Sequence, residues 1–156
     1  MSVTLTRMTL SDAETFQEMQ REAFAGLLAR YRDCETNPAC ETLERIREKL
    51  AQPHRYFYRI GTDGAVVGAI CVVDFGDPSQ RKRVSPLFIL PAYRGHGLAQ
   101  AAIGEAERLH GAHGWMLATI AQEAGNRHLY EKMGYHRNGW ESAVNERMTL
   151  IGYEKD

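Results

Sequence analysis

No apolar run in this sequence approaches the roughly 20 residues that span a bilayer, so no membrane-spanning helix is expected. Residues Met1 to Arg7 lack a basic stretch followed by an apolar one, and no signal peptide is expected either. Net charge is nearly absent: 19 Lys and Arg stand against 20 Asp and Glu, a balance of −1. That balance supplies no general attraction to nucleic acid or to an anionic membrane surface. Cysteine is scarce. The odd set Cys34, Cys40 and Cys71 has no C-x-x-C spacing, which predicts three free thiols in a reducing cytosol. A Cys34–Cys40 disulfide is the alternative. No H-E-x-x-H or Cys/His cluster is present, and the pair His110-x-x-His113 has no further ligand beside it, so no metal site is expected. Repeats, low-complexity tracts and linker-like segments are missing too. At 156 residues these absences point to a single domain over 1–156, cytoplasmic and able to bury its own core.

What is present is a regular alternation of elements. Val3, Leu5 and Arg7 alternate with Thr4, Thr6 and Met8 as in a strand. Ser11-Asp12-Ala13-Glu14 has capping-box spacing, and Phe16, Met19, Ala23, Phe24, Leu27, Leu28 and Tyr31 then recur with helical period. Asn37-Pro38 can open a second helix that Leu43, Ile46 and Leu50 continue, up to Pro53. Strands are expected at Tyr56–Ile60, Ala65–Val73 and Arg83–Leu90, with a hairpin at Thr62-Asp63-Gly64. A helix from Gly97 to His110, a strand from Trp115 to Ile120 and a short helix from Gly125 to Met133 follow. Two strands, near Tyr135–Glu141 and Arg147–Tyr153, end the chain. The order β-α-α-β-β-β-α-β-α-β-β predicts a three-layer α/β (α+β) fold with a central mixed sheet and helices on both faces.

The chemistry gathers in Leu87-Phe88-Ile89-Leu90-Pro91-Ala92-Tyr93-Arg94-Gly95-His96-Gly97-Leu98-Ala99-Gln100. An apolar strand stops at a proline, and a glycine-containing loop leads into a helix. The first amides of a helix lack internal acceptors and lie at the positive end of its dipole. Gly95 and Gly97 let a ligand approach the backbone. The combination suits a phosphate group. A dinucleotide fingerprint fits poorly, because Gln100 stands where Gly or Ala is needed and no acid follows about 20 residues on. A Walker A loop is absent, for want of G-K-[ST].

Arg94-x-x-Gly97-x-Ala99 resembles the Q/R-x-x-G-x-G/A motif of the GCN5-related N-acetyltransferase (GNAT) superfamily, and Asn126-Arg127-His128-Leu129-Tyr130-Glu131-Lys132-Met133-Gly134-Tyr135 resembles its later L-Y-E-K-x-G-F/Y signature. The resemblance covers essentially the whole chain, the first third in pattern only. It implies a mostly antiparallel sheet and acetyl-CoA as co-substrate. The positions Arg94, Gly95, His96, Gly97, Leu98, Ala99 and Gln100 would hold its pyrophosphate through backbone amides. Leu87, Phe88 and Ile89 would pair with its pantetheine as an added strand. Tyr130 would act as general acid toward the departing thiolate.

Two positions depart from the pattern. The asparagine that many members carry seven residues before the tyrosine is replaced by Glu123, with Asn126 only four residues before it. Either Asn126 takes over the pantetheine contact or the contact is missing. No acid stands on the fourth or fifth strand, so Glu123 or a chain of waters would have to serve as base.

The activity implied is transfer of an acetyl group to a primary amine of a small molecule by direct attack, without a covalent enzyme intermediate. A peptide or protein acceptor, or a non-catalytic CoA-binding sensor, is the alternative. The loop Tyr31 to Pro38 would cover the acceptor, with Asp33, Glu35 or Arg32 as charged contacts. Arg81-Lys82-Arg83 reads as a solvated strand start, or as a contact to the CoA 3′-phosphate or to a partner. A homodimer is left open; nucleic acid and membrane are not expected as partners.

Overall fold

A computed structural model describes residues 2–156. Seven strands form one sheet: β1 (Thr4–Arg7), β2 (Arg55–Thr62), β3 (Ala65–Val73), β4 (Lys82–Ile89), β5 (Trp115–Ile120), β6 (His136–Asn145) and β7 (Met148–Lys155). Four helices accompany them: α1 (Ala13–Tyr31), α2 (Leu43–Leu50), α3 (Leu98–His110) and α4 (Ala124–Lys132). The spatial order is β1-β2-β3-β4-β5-β7-β6. All neighbours are antiparallel except β4 and β5, which are parallel. The mixed sheet and the element order agree with the sequence reading.

Strand alternation separates two cores. Phe57, Ala69, Cys71 and Phe88 face α1 and α2, where Phe16, Met19 and Ile46 are buried with them. Tyr58, Ile70, Val72 and Ile89 face the other way, onto Leu98, Ala102 and Ile103 of α3 and Tyr130 of α4. A one-residue slip of any inner strand would exchange these faces, which pins the register. The β2–β3 hairpin turns at Asp63 and Gly64, both with positive φ (49° and 78°), as a two-residue turn of the primed type requires.

Three local expectations are corrected. The capping box at the first helix uses Thr9 and Asp12 rather than Ser11 and Glu14: the Thr9 amide donates to the Asp12 carboxylate at 2.8 Å, ahead of a short 3-10 turn. The Asn37-Pro38 start gives only a 3-10 turn, Pro38–Cys40, with Asn37 accepting from the Ala39 amide. A separate cap, Thr42 accepting from the Arg45 amide, opens α2. Finally, Cys34 and Cys40 are disulfide-bonded, and only Cys71 is a free, buried thiol. The reason is local. Asp33 accepts amides from Thr36 and Asn37 with its carbonyl, and the Thr36 hydroxyl and Asn37 side chain with its carboxylate. That turn brings the two cysteine Cα atoms to 5.4 Å.

Candidate active site

The site begins where the sheet comes apart. β4 and β5 pair only at Lys82–Trp115 and Arg83–Met116, then diverge. Just beyond, β4 carries a bulge: Cys71 alone lies between the paired residues Ile70 and Val72 of β3, while Ser85 and Pro86 both lie between their partners Val84 and Leu87 on β4. A bulge bends its strand and ends regular pairing. The second half of β4 therefore has an open edge facing β5.

Which backbone groups face that edge follows from alternation. The Leu90 amide donates to the Val67 carbonyl at 2.8 Å, so Leu90, and Phe88 two residues earlier, point toward β3. Gly68 has no side chain because an added Cβ would lie 2.1 Å from the Phe88 carbonyl oxygen. Leu87 and Ile89 point the other way. Of the three positions expected to offer backbone, Phe88 is thus committed to β3, with its ring against Phe16 and Phe24. The Ile89 carbonyl is also engaged, by the Arg94 guanidinium at 2.9 Å.

After β4, a 3-10 turn at Pro91–Tyr93 leads into the glycine loop and α3. Gly95 and Gly97 have φ of 84° and 74°, a left-handed backbone that other residues adopt at a cost of roughly 1–2 kcal/mol. The first helical bond runs from the Ala101 amide to the Gly97 carbonyl. Among the described residues, the amides from Gly95 to Gln100 have no backbone acceptor. They form a cradle of donors at the positive end of a 13-residue helix. Arg94 contributes differently. Its side chain reaches inward, to the Ile89 carbonyl and to the Ala23 carbonyl of α1 at 2.6 Å, and so ties loop, strand and helix together. His96 is exposed in the loop.

Cradle and open edge line one cleft of about 460 Å³. Its remaining walls are Ala23, Phe24 and Leu27 of α1, Asn126 and Tyr130 of α4, and Glu123 just before α4. Tyr130 is 9% exposed, packs edge-on against Tyr135, and has no hydrogen-bond partner for its hydroxyl among the described residues. Burial pushes its pKa up to about 12, so it is a protonated donor at neutral pH.

Glu123 is held from α1. Arg30 donates to its carboxylate at 2.7 Å, and the Tyr31 hydroxyl donates to the same oxygen. Burial alone would raise the Glu123 pKa, but these hydrogen bonds and the Arg30 charge outweigh it and hold the group below its ordinary value. Asn126, by contrast, keeps its side-chain amide in the cleft without a protein partner among the described residues.

Other charged residues are engaged elsewhere. Asp33 is buried within its own turn. Asp74 pairs with His110 at 2.8 Å, and Tyr58 completes that network. Arg81 holds the Lys155 carbonyl and Asp156, and Lys82 the His113 carbonyl, so these two secure the ends of β4, β5 and β7. Sequence reasoning missed the Arg30–Tyr31–Glu123 cluster. Arg30 and Tyr31 lie 93 and 92 residues before Glu123, and no local spacing signals the pairing.

Residues 15–135 match the sequence profile of the Acetyltransferase (GNAT) family. No curated protein matches the chain by sequence. Solved structures do match by fold. One is spermidine N-acetyltransferase from Vibrio cholerae in complex with CoA and spermine, at a TM-score of 0.75 and 15% identity, covering 97% of this chain and 94% of that one. Another is an acetyltransferase from Thermus thermophilus, at 0.71 and 18% identity, covering 98% and 96%. A third is PaiA N-acetyltransferase from Thermoplasma acidophilum in complex with coenzyme A, at 0.66 and 18%, covering all of both chains.

Proposed function

The chain belongs to the GNAT acetyltransferase family, and on that premise we propose that residues 1–156 form one N-acetyltransferase domain that moves an acetyl group from acetyl-CoA to a small-molecule primary amine. The observation that carries the reading is the cleft itself. A run of unbonded amides, an open strand edge and a buried phenol face one another across it. Those features fit the phosphates, the amides and the thioester of acetyl-CoA respectively. The solved relatives bound to CoA support the choice.

Acetyl-CoA supplies an acyl group activated as a thioester. The amides of Gly95 to Gln100 hold its pyrophosphate. The Leu87 carbonyl and the Ile89 amide pair with the pantetheine, leaving the Leu87 amide for the thioester, and Asn126 adds a side-chain amide where the usual asparagine is displaced. An edge amide of β4 also polarises the thioester carbonyl. Holding both substrates in one cleft makes the attack effectively unimolecular. Glu123, ionised and fixed by Arg30 and Tyr31, attracts the cationic amine. Its lowered pKa makes it a weak base, so the amine proton leaves to Glu123 or to water in the open cleft. As the amine nitrogen bonds the acyl carbon and the C–S bond breaks, the Tyr130 hydroxyl gives its proton to the sulfur, and the second proton, which the nitrogen sheds on becoming an amide, returns to the Tyr130 oxygen through water in the cleft.

The test is calorimetric titration with acetyl-CoA, with NADH as control, followed by thiol release across an amine panel. Saturable acetyl-CoA binding, no NADH binding and amine-dependent thiol release support the reading. No acetyl-CoA binding at millimolar concentration overturns it. The engagement of Glu123 by two α1 side chains favours one second reading, a CoA-binding sensor, which would bind acetyl-CoA and release no thiol with any amine.

A further inference from the structure

A second pocket, of about 680 Å³, adjoins the cleft on the α1 and α2 side of the sheet. The two are neighbours along two elements. Pro86 lines the pocket and Leu87 the cleft; Gln20 lines the pocket, and Ala23 and Phe24, about one helical turn on, line the cleft. The disulfide-bonded loop forms the outer wall, with Cys34 and Cys40 both in the lining.

The charges on this wall do not balance. Lys49 is paired with Glu41, and Arg45 with Glu48 at 3.3 Å. Among the described residues, the Arg55 side chain meets only the neutral Gln52 side chain, at 2.5 Å. Arg83 is half-buried, makes no hydrogen bond or ion pair among the described residues, and has its Nε fully buried without a partner. Gln20 is 1% exposed, and its Oε1 is likewise buried and unpartnered, while its amide nitrogen is held by the Pro38 carbonyl and Glu41. Glu35 is exposed at the rim. Of the charged side chains that line the pocket, Arg45, Lys49, Arg55 and Arg83 stand against Glu35 and Glu41. A guanidinium partly withdrawn from water without a counter-charge is costly, and the paired oxygens of a carboxylate or phosphate are what its forked donors match.

From this we infer that the second pocket binds a carboxylate or phosphate group on Arg83, with Arg55 beside it, and that this group is the anchoring end of the acceptor amine. The second half rests on the acetyltransferase reading. It separates this chain from a polyamine acetyltransferase, whose acceptor carries only positive charge. Gln20 Oε1 supplies an acceptor for a polar hydrogen next to the anionic group.

Two experiments with the full chain test it. The first omits acetyl-CoA and follows thermal stability against succinate and inorganic phosphate at fixed ionic strength. A saturable rise in Tm is expected in the wild type and in Gly97→Glu, where the amide cradle is disabled. On the Gly97→Glu background, where the cradle no longer takes up the anion, it is expected to be lost in Arg83→Gln and partly kept in Arg83→Lys. An equal rise in Arg83→Gln on that background, or a rise abolished by Gly97→Glu, places the anion elsewhere and overturns the site. The second compares thiol release with amino carboxylates and amino phosphonates against their neutral amides and against diamines. A preference in kcat/KM of roughly 10- to 100-fold for the anionic acceptors is expected, the size of a charge-assisted hydrogen bond. That ratio should fall toward one in Arg83→Gln. A preference for diamines, or one unchanged in Arg83→Gln, overturns the acceptor assignment. If anion binding behaves as expected but no amine is acetylated, the anion site stands and the acetyltransferase reading fails.

Discussion

The two sides of the splayed sheet are built on different principles. The α3 side is a backbone device. Its donors are the amides from Gly95 to Gln100, and its sequence requirement is two glycines with positive φ and a helix start. The α1 side is a side-chain device. Gln20, Arg30, Arg55, Arg83 and Glu123 come to it from one helix, two strands and a loop. A surface made of amides can hold the constant part of a reaction. A surface made of side chains can vary with the substrate, which is why fold does not determine specificity.

The largest expected effect breaks the backbone side. Gly97→Glu forces a side chain onto a left-handed residue and sets a carboxylate in an anion cradle. No atom lies within 4 Å of the new Cβ, so the fold should survive, with a loss of roughly 1–2 kcal/mol from backbone strain. Acetyl-CoA binding measured by calorimetry should disappear. Retained binding would remove the cradle from the site.

Tyr130→Phe separates chemistry from binding. Turnover by thiol release should fall roughly 10²- to 10⁴-fold, with the calorimetric acetyl-CoA affinity nearly unchanged. Because burial raises the phenol pKa to about 12, the wild-type rate should show no limb from this group through the neutral and mildly alkaline range. Unchanged turnover in the variant would take Tyr130 out of the mechanism.

Two smaller changes set one wall against the other. Arg94→Ala removes the bonds to the Ile89 and Ala23 carbonyls and should cost about 1–3 kcal/mol of stability, with weaker acetyl-CoA binding as the loop loses its tie. Replacing Cys34 and Cys40 by serine should cost about 2 kcal/mol, the figure for a short closed loop. It should weaken anion binding in the second pocket and leave acetyl-CoA affinity as it was. Denaturant unfolding gives the stabilities and calorimetry the affinities. If the cysteine change shifted acetyl-CoA affinity instead, the two walls would not be independent.

The same division decides what could be read from sequence. The cradle was legible because its requirements are local: Gly95, Gly97 and the helix start lie within a few residues of one another. The first strand was legible from alternation and Ala65–Val73 from its Val and Ile content, and Ala65–Val73 and Trp115–Ile120 match their expected bounds. The commitment of Phe88 to β3 was not legible, since it depends on cross-strand register. Nor was the inward turn of the Arg94 side chain, because its second acceptor, Ala23, is 71 residues away. The Glu123 cluster and the Arg83 pocket depend on contacts across the whole fold. The disulfide was misjudged because a compartment expectation outweighed a local turn, the one at Asp33, that brings Cys34 to Cys40.

The smallest effect comes from a network belonging to neither wall. The His110 ring nitrogens face the Asp74 carboxylate and the Tyr58 hydroxyl, each at 2.8 Å, at the far end of α3. Burial by itself would raise the Asp74 pKa, but the Gly76 amide, His110 and Lys82 outweigh it and leave it lowered. A carboxyl whose folded pKa lies below its unfolded value stabilises the fold above the unfolded value. That contribution is lost as pH falls through the folded one. With an unfolded value near 3.9, the wild type should therefore lose stability below about pH 5, and Asp74→Asn should lose less over that range. At neutral pH the variant should be modestly less stable, with acetyl-CoA affinity and anion binding both unchanged. The check is denaturant unfolding from about pH 3 to 7, run beside calorimetry. A change in either affinity would show that this end of α3 communicates with the cleft, and the contrast between a constant wall and a variable one would have to include it.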